Sequence, residues 1–233
     1  MDKLKENIIN IKNRIARAAQ KAGRSADEIT LVAVTKTVAP DIINQAIELG
    51  IRNIGENKVQ ELLSKYDVIE RKGDVHWHLI GHLQTNKVKY IVDKVDLIHS
   101  VDSIRLAEEI NKRAQKINRV VDILIQVNVS QESSKFGIEV SQCDEIIRHI
   151  SALPYIRIKG LMTIAPFTQD PEEVRPYFRM LRNLSIDIKQ KKYDNVSMEY
   201  LSMGMTGDFE VAIEEGANLV RIGTAIFGER NYN

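Results

Sequence analysis

Apolar positions near the start of the chain recur with helical period. Leu4, Ile8, Ile11, Ile15, Ala18 and Ala22 fall on one stripe, and Gly23 offers a stop. From residue 30 the rhythm changes. Short β-rich runs at 30–35, 52–55, 75–80, 96–100, 120–129, 155–162, 197–202 and 218–222 alternate with amphipathic stretches. The helix after the first run opens on Pro40 and Asp41, puts Ile42, Ile43, Ala46 and Ile47 on one face and ends at Gly50. The helix after the fourth run is expected to start near Asp102, an N-cap type, and to bury Ile104, Ala107, Ile110, Ala114 and Ile117. Another opens at Pro171, with Glu172 and Glu173 placed where the helix dipole favours anions. Leu31–Val34 and Ile123–Val129 are apolar on both faces, as parallel strands covered by helices are. Eight such units with helical crossovers predict an α/β chain folded as a single (β/α)8 TIM barrel. The domain is expected to span residues 1–233, with the extra N-terminal helix packed outside.

Composition narrows the function. Hydrophobic residues make up 43% and charged residues 28%, which suffices for a sizeable core in a soluble protein. A net charge of +1 gives no field to recruit nucleic acid or an anionic membrane. No apolar run approaches the ~18 residues of a membrane span, and the charged N-terminus lacks the apolar core of a signal peptide. Cys143 is alone, so it forms no internal disulfide, which fits the reducing cytoplasm. It shares a helical pattern with Ile146, Ile147 and Ile150 and reads as a buried small hydrophobe.

In a barrel of this class chemistry gathers at the carboxyl ends of the strands. There stand Lys36, Glu56-Asn57, His78, Gly81, Ser100, Asn128, Met162-Thr163, Ser202 and Arg221. A lysine amine held inside a barrel loses solvent, which disfavours the ammonium and leaves a nucleophile suited to a Schiff base. A solvated lysine opening a loop is the plain alternative. The segments Ser202-Met203-Gly204-Met205-Thr206-Gly207 and Arg221-Ile222-Gly223-Thr224 close the last two strands, where barrels often hold phosphate. Glycine N–H groups and a hydroxyl-capped helix N-terminus suit an anion, although a plain βα turn uses the same residues and Asp208 would repel one. Arg221, in an apolar run, either pairs with a carboxylate or faces a ring nitrogen. An aldehyde-reactive lysine facing a phosphate cradle suggests pyridoxal 5′-phosphate (PLP). His76, His78 and His82 invite a metal, but no cysteine is near and Asp74 is the one close carboxylate, so they read as site-lining or packing residues and no metal is expected.

The motifs Ala33-Val34-Thr35-Lys36, Gly55-Glu56-Asn57, Trp77 to Lys87, Lys135-Phe136-Gly137, Gly160-Leu161-Met162-Thr163, Ser202 to Thr206 and Val220 to Thr224 resemble, end to end, the pyridoxal phosphate homeostasis family (YggS-like), itself similar to the N-terminal barrel of alanine racemase. Leu79 and Thr206 are small departures. The resemblance implies a PLP fold-type III barrel with the cofactor held as a Schiff base on Lys36. It implies phosphate contacts from Ser202, Gly204, Gly223 and Thr224, Arg221 facing the pyridine nitrogen, and Asn57, His78 and Met162 lining the cofactor. Lys135 falls where the racemase has an arginine near the ring hydroxyl. The expected function is buffering and supply of PLP, with PLP-requiring apo-enzymes as partners and a monomer or weak dimer as the assembly. The racemase needs a catalytic tyrosine from a second domain, for which this chain leaves no room, so no efficient catalysis is expected. An amino-acid racemase is the alternative function, and a Schiff-base aldolase is a third.

Overall fold

A computed structural model describes residues 2–130 and 136–228. Its centre is a closed parallel barrel. The strands are β1 (Thr30–Val34), β2 (Asn53–Glu56), β3 (His76–Leu79), β4 (Leu97–Val101), β5 (Val121–Asn128), β7 (Ile156–Met162), β8 (Val196–Ser202) and β9 (Leu219–Ile222). They pair in the order β4-β3-β2-β1-β9-β8-β7-β5, and β4 pairs with β5 to close the ring. Each lies within two residues of its sequence prediction. A two-residue strand that the periodicity does not reveal, β6 (Ile138–Glu139), adds to β5 through Val127 and Ile138.

The strands read as continuous apolar runs because both faces are buried, against different partners. Outward-facing Ala33, Ile54, Trp77, Leu79, Ile98, Ile123 and Ile125 join the helices in one large core. Inward-facing Val32, Leu97, Leu124, Met162 and Leu219 form a small cluster along the barrel axis, with Tyr200 against it. Gly160 is required where β7 and β8 approach, since a Cβ there would lie 1.9 Å from the Tyr200 carbonyl oxygen.

The first helix, α1 (Asp2–Lys21), buries Ile8, Ile11, Ile15, Ala18 and Ala19. It packs on α7 (Phe209–Glu214) and α8 (Thr224–Phe227), the last two helices. Asn7 donates to the Ile226 carbonyl, and Arg14 pairs with Glu210 at 2.7 Å, so the extra helix straps the seam where β1 meets β9. The helix α4 (Ile104–Lys116) corrects one expectation. Its N-cap is Ser103, whose hydroxyl accepts from the Leu106 N–H, and Asp102 instead lies 3.4 Å from His82. Cys143 opens α5 (Cys143–Ser151) on its buried side, where burial pushes the thiol up to about 12. No helix among the described residues is long and apolar enough to cross a membrane.

Candidate functional site

Side chains alternate along a strand, so the parity of β1 decides where Lys36 goes. Val32 faces the barrel interior and Ala33 the helices. Lys36 shares the parity of Val32 and lies just past the end of β1, on a turn that leads to α2 (Pro40–Glu48). Its neighbour Thr37 has φ +63, a left-handed conformation that costs a β-branched residue about 1–3 kcal/mol and that surrounding contacts must hold. Lys36 lines a cavity of about 260 Å³ together with Val34, Val38, Gly223 and Thr224. Closure of β1 on β9 brings these two ends of the sequence together.

Asn57 lies beside this turn. Val34 pairs with Gly55, and Lys36 and Asn57 each follow two residues later. The Asn57 side-chain oxygen is buried with no hydrogen-bond partner. Gly81 backs it closely, since a Cβ there would lie 2.3 Å from the Asn57 carbonyl oxygen.

Arg221 points into the barrel and is 4% exposed. It donates to the Ser202 hydroxyl at 2.5 Å and to the Thr163 carbonyl at 2.8 Å, and among the described residues it has no carboxylate at ion-pair distance. Burial pulls its pKa down to about 10, against the longer-range pull of Asp208. The group stays a cation at neutral pH, with three of its five N–H donors left over.

Ser202 is the start of a buried polar chain that the sequence did not reveal. Its Oγ lies 2.9 Å from His99 Nδ1, His99 Nε2 lies 2.9 Å from His78 Nδ1, and His78 Nε2 lies 3.0 Å from Asn53 Oδ1. Burial holds both imidazoles neutral, His78 at about 3 and His99 well below its ordinary value. With the Asn53 oxygen facing His78, one pattern of protons satisfies every contact. Arg221 donates to Ser202, Ser202 to His99 Nδ1, His99 Nε2–H to His78, and His78 Nε2–H to Asn53.

The structure thus gathers Lys36, Gly223 and Thr224 in one cavity and leaves other expected residues elsewhere. His78 lines a different cavity, of about 370 Å³, at the amino-terminal mouth with Thr30, Asn53 and Asp122, and is not among the residues lining the Lys36 cavity. Its inward parity faces His99 below the strand ends. Ser202 is fully buried, where its hydroxyl accepts from Arg221 and lies 2.9 Å from His99 Nδ1. Gly204, at φ +94, serves packing, because a Cβ there would lie 2.7 Å from that of Ala212 and 2.9 Å from Phe209 Cα. Met162 belongs to the interior cluster. The helix after Gly207 is capped by no hydroxyl; Asp208 precedes it, and its carboxylate accepts from the Met205 N–H at 2.6 Å. The histidines of the 76–82 stretch diverge, with His82 stacked on Phe136 and His76 beside Asp96. Among the described residues no three His, Cys, Asp or Glu side chains gather as metal ligands. Lys135 lies outside the described residues.

Known proteins resemble this chain in sequence and fold. The family model of the alanine racemase N-terminal domain matches residues 7–231. A pyridoxal phosphate homeostasis protein of Aquifex aeolicus is 49% identical over 97% of this chain and 98% of its own length. One from Escherichia coli K12 is 38% identical over the whole of this chain and 99% of its own. PipY of Synechococcus elongatus, solved without PLP, superposes with a TM-score of 0.86 at 31% identity, over 97% of this chain and all of that one. PipY with PLP bound gives 0.81 at 32% identity, over 92% of this chain and all of that one. By sequence along its length and by the architecture of its barrel, the chain belongs to the pyridoxal phosphate homeostasis protein family.

Proposed function

We propose that this protein binds PLP as a Schiff base on Lys36 and acts as a carrier that buffers and supplies the cofactor, with residues 1–233 working as one barrel domain. The observation that carries the reading is the cavity Lys36 shares with Gly223 and Thr224. It sets an amine beside a backbone and hydroxyl site suited to phosphate at the carboxyl mouth of the barrel. The relatives' names and the PLP-bound structure of PipY support the same cofactor.

The donor set fits the group. Gly223 and Thr224 hold the phosphate, and the exposed Thr224 hydroxyl donates to it. Arg221, with N–H groups to spare, would be the group to face the pyridine nitrogen, and since an arginine cannot hand over a proton it would leave the ring a weaker electron sink. The unpartnered, buried Asn57 oxygen, two residues past the Gly55 that pairs with Val34, would be free to line the ring. Ser202 and Met162 act from the interior, Ser202 by holding Arg221 and Met162 by packing, and Gly204 fits the backbone of the 203–208 turn against α7. Bound PLP supplies an aldehyde that exchanges between amines, which suits delivery to PLP-requiring apo-enzymes.

The alternative, an amino-acid racemase, needs two positioned acid/base groups on opposite faces of the substrate. Among the described residues lining the Lys36 cavity, Lys36 is the one ionisable side chain. A carrier needs no second base, so we assign no efficient catalysis. A reducing compartment such as the cytoplasm accords with the lone, buried Cys143, and the assembly we propose is a monomer or weak dimer.

The test is the visible spectrum of the PLP-incubated protein before and after borohydride reduction, with the reduced adduct located by mass spectrometry. The unaltered chain should absorb in the visible and carry the adduct on Lys36, and Lys36→Ala should do neither while keeping its fold. A reducible adduct on another lysine in the unaltered chain overturns the assignment.

A further inference from the structure

The helix α3 (Val59–Tyr66) lies outside β1 and β2 and grips the chain on either side of Lys36. Lys65 Nζ donates to the Thr35 carbonyl at 2.7 Å, to Glu56 Oε1 at 2.8 Å and to Glu61 Oε2 at 3.3 Å. An ammonium has three donors, and these acceptors take one each. Glu56 Oε1 also accepts from the Thr35 hydroxyl at 2.6 Å, and Glu61 Oε2 accepts from the Thr37 N–H at 2.7 Å. The residue before Lys36 is therefore held by its carbonyl and its hydroxyl, and the residue after it by its amide. Thr37 keeps its left-handed φ of +63 at the point where Glu61 binds it.

Strand alternation accounts for the geometry. Thr35 and Glu56 share the outward parity of Ala33 and Ile54 and face α3, while Lys36 faces the other way. Glu56 is fully buried and Lys65 is 6% exposed. A pair so deep gains little stability over apolar packing, because desolvation offsets the attraction. Its strict geometry is better suited to fixing a conformation. Burial raises the Glu56 carboxyl against the pull of Lys65. None of these side chains lines the Lys36 cavity.

We infer that Glu56, Glu61 and Lys65 are positioning residues for Lys36. They fix the 35–37 turn so that the amine stays in the cavity with Gly223 and Thr224. The inference rests on the proposed bond between Lys36 and PLP. In that condensation the amine nitrogen bonds to the aldehyde carbon, the nitrogen gives up its protons and the carbonyl oxygen leaves as water. A loosened turn slows the approach of the amine without touching the grip on phosphate.

The test uses Glu61→Ala in the full chain. Glu61 is the most exposed of the three side chains, at 26%, and its loss leaves the Glu56–Lys65 pair in place. Two quantities are measured: the rate at which borohydride-trapped adduct accumulates on Lys36, and the affinity for pyridoxine 5′-phosphate, an alcohol with no aldehyde. Adduct formation should slow by about tenfold, the alcohol's affinity should change by less than about twofold, and Glu61→Gln, whose amide oxygen still accepts from Thr37, should restore the rate. The paired substitution Glu56→Gln with Lys65→Met removes both buried charges together and carries the same expectation if Glu61→Ala does not fold. An unchanged rate, or equal losses for aldehyde and alcohol, overturns the clamp. A chain that forms no adduct on Lys36 before any substitution overturns the cofactor assignment and the clamp with it, and that failure is seen in the unaltered protein alone.

Discussion

The buried histidine chain makes stability depend on pH in a way that one substitution can isolate. His78 ionises near 6.5 in an unfolded chain and near 3 in the barrel, because burial disfavours its charged form. Between those values the unfolded chain binds a proton that the folded chain does not. Stability is therefore unaffected above about pH 6.5 and falls as the pH drops through the window toward 3. One such proton changes stability by about 1.36 kcal/mol per pH unit, so lowering the pH from 7 to 5 costs about 2 kcal/mol through His78 alone. His99, held down chiefly by burial and then by His78, adds a loss of the same sign. The perturbation is His78→Gln, which keeps a polar group in the chain and removes the titration. Unfolding by urea at pH 7, 6 and 5, at constant ionic strength, gives the stability of both proteins. Glu56 and Asp208, which burial shifts upward, contribute equally to both and cancel in the comparison. The variant is expected to be weaker at pH 7, but its loss between pH 7 and 5 should be smaller than the unaltered protein's by about 2 kcal/mol. Equal losses in the two proteins would falsify the reading of His78 as a neutral, buried link.

Three further outcomes follow from the same contacts. Ser202→Ala should destabilise the ligand-free protein by about 1–3 kcal/mol, because His99 loses a donor and Arg221 an acceptor inside the barrel; a change under about 0.5 kcal/mol in chemical denaturation would show the chain is not formed. Thr224→Ala, at an exposed position, should leave stability within about 0.5 kcal/mol yet weaken PLP by about 1.5–3 kcal/mol in a titration while sparing phosphate-free pyridoxal; equal losses for both ligands would remove Thr224 from the phosphate site. Gly160→Ala should cost more than about 3 kcal/mol or abolish the soluble fold, since its Cβ would overlap the Tyr200 carbonyl, and a denaturation midpoint near the unaltered value would contradict that approach of β7 to β8.

The elements of this protein were legible in its sequence because parallel strands buried on both faces leave unbroken apolar runs, and amphipathic helices leave a 3.6-residue period. Both signals are local. The position of Lys36 was legible for the same reason: it stands just past the end of such a run, and eight runs imply a closed barrel. What the local signal does not carry is which side chains meet across the axis. His78, His99, Ser202 and Asn53 come from four strands, and their link needs the register of β2, β3, β4 and β8 together. Parity was the available signal, since His99 shares the inward face of Leu97, but reading only strand ends passes over it. The same blindness left unseen that His78 and Ser202, expected at the cofactor, also belong to this buried chain. The N-cap moved from Asp102 to Ser103 because two adjacent capping residues compete and the tertiary contact with His82 takes one of them. The clamp around Lys36 joins β1 and β2 to α3, and no period in the chain announces it. Sequence determined which residues could act, through pattern and residue chemistry; closure of the barrel decided which of them touch, because contact across an interior depends on stagger and parity summed over every strand.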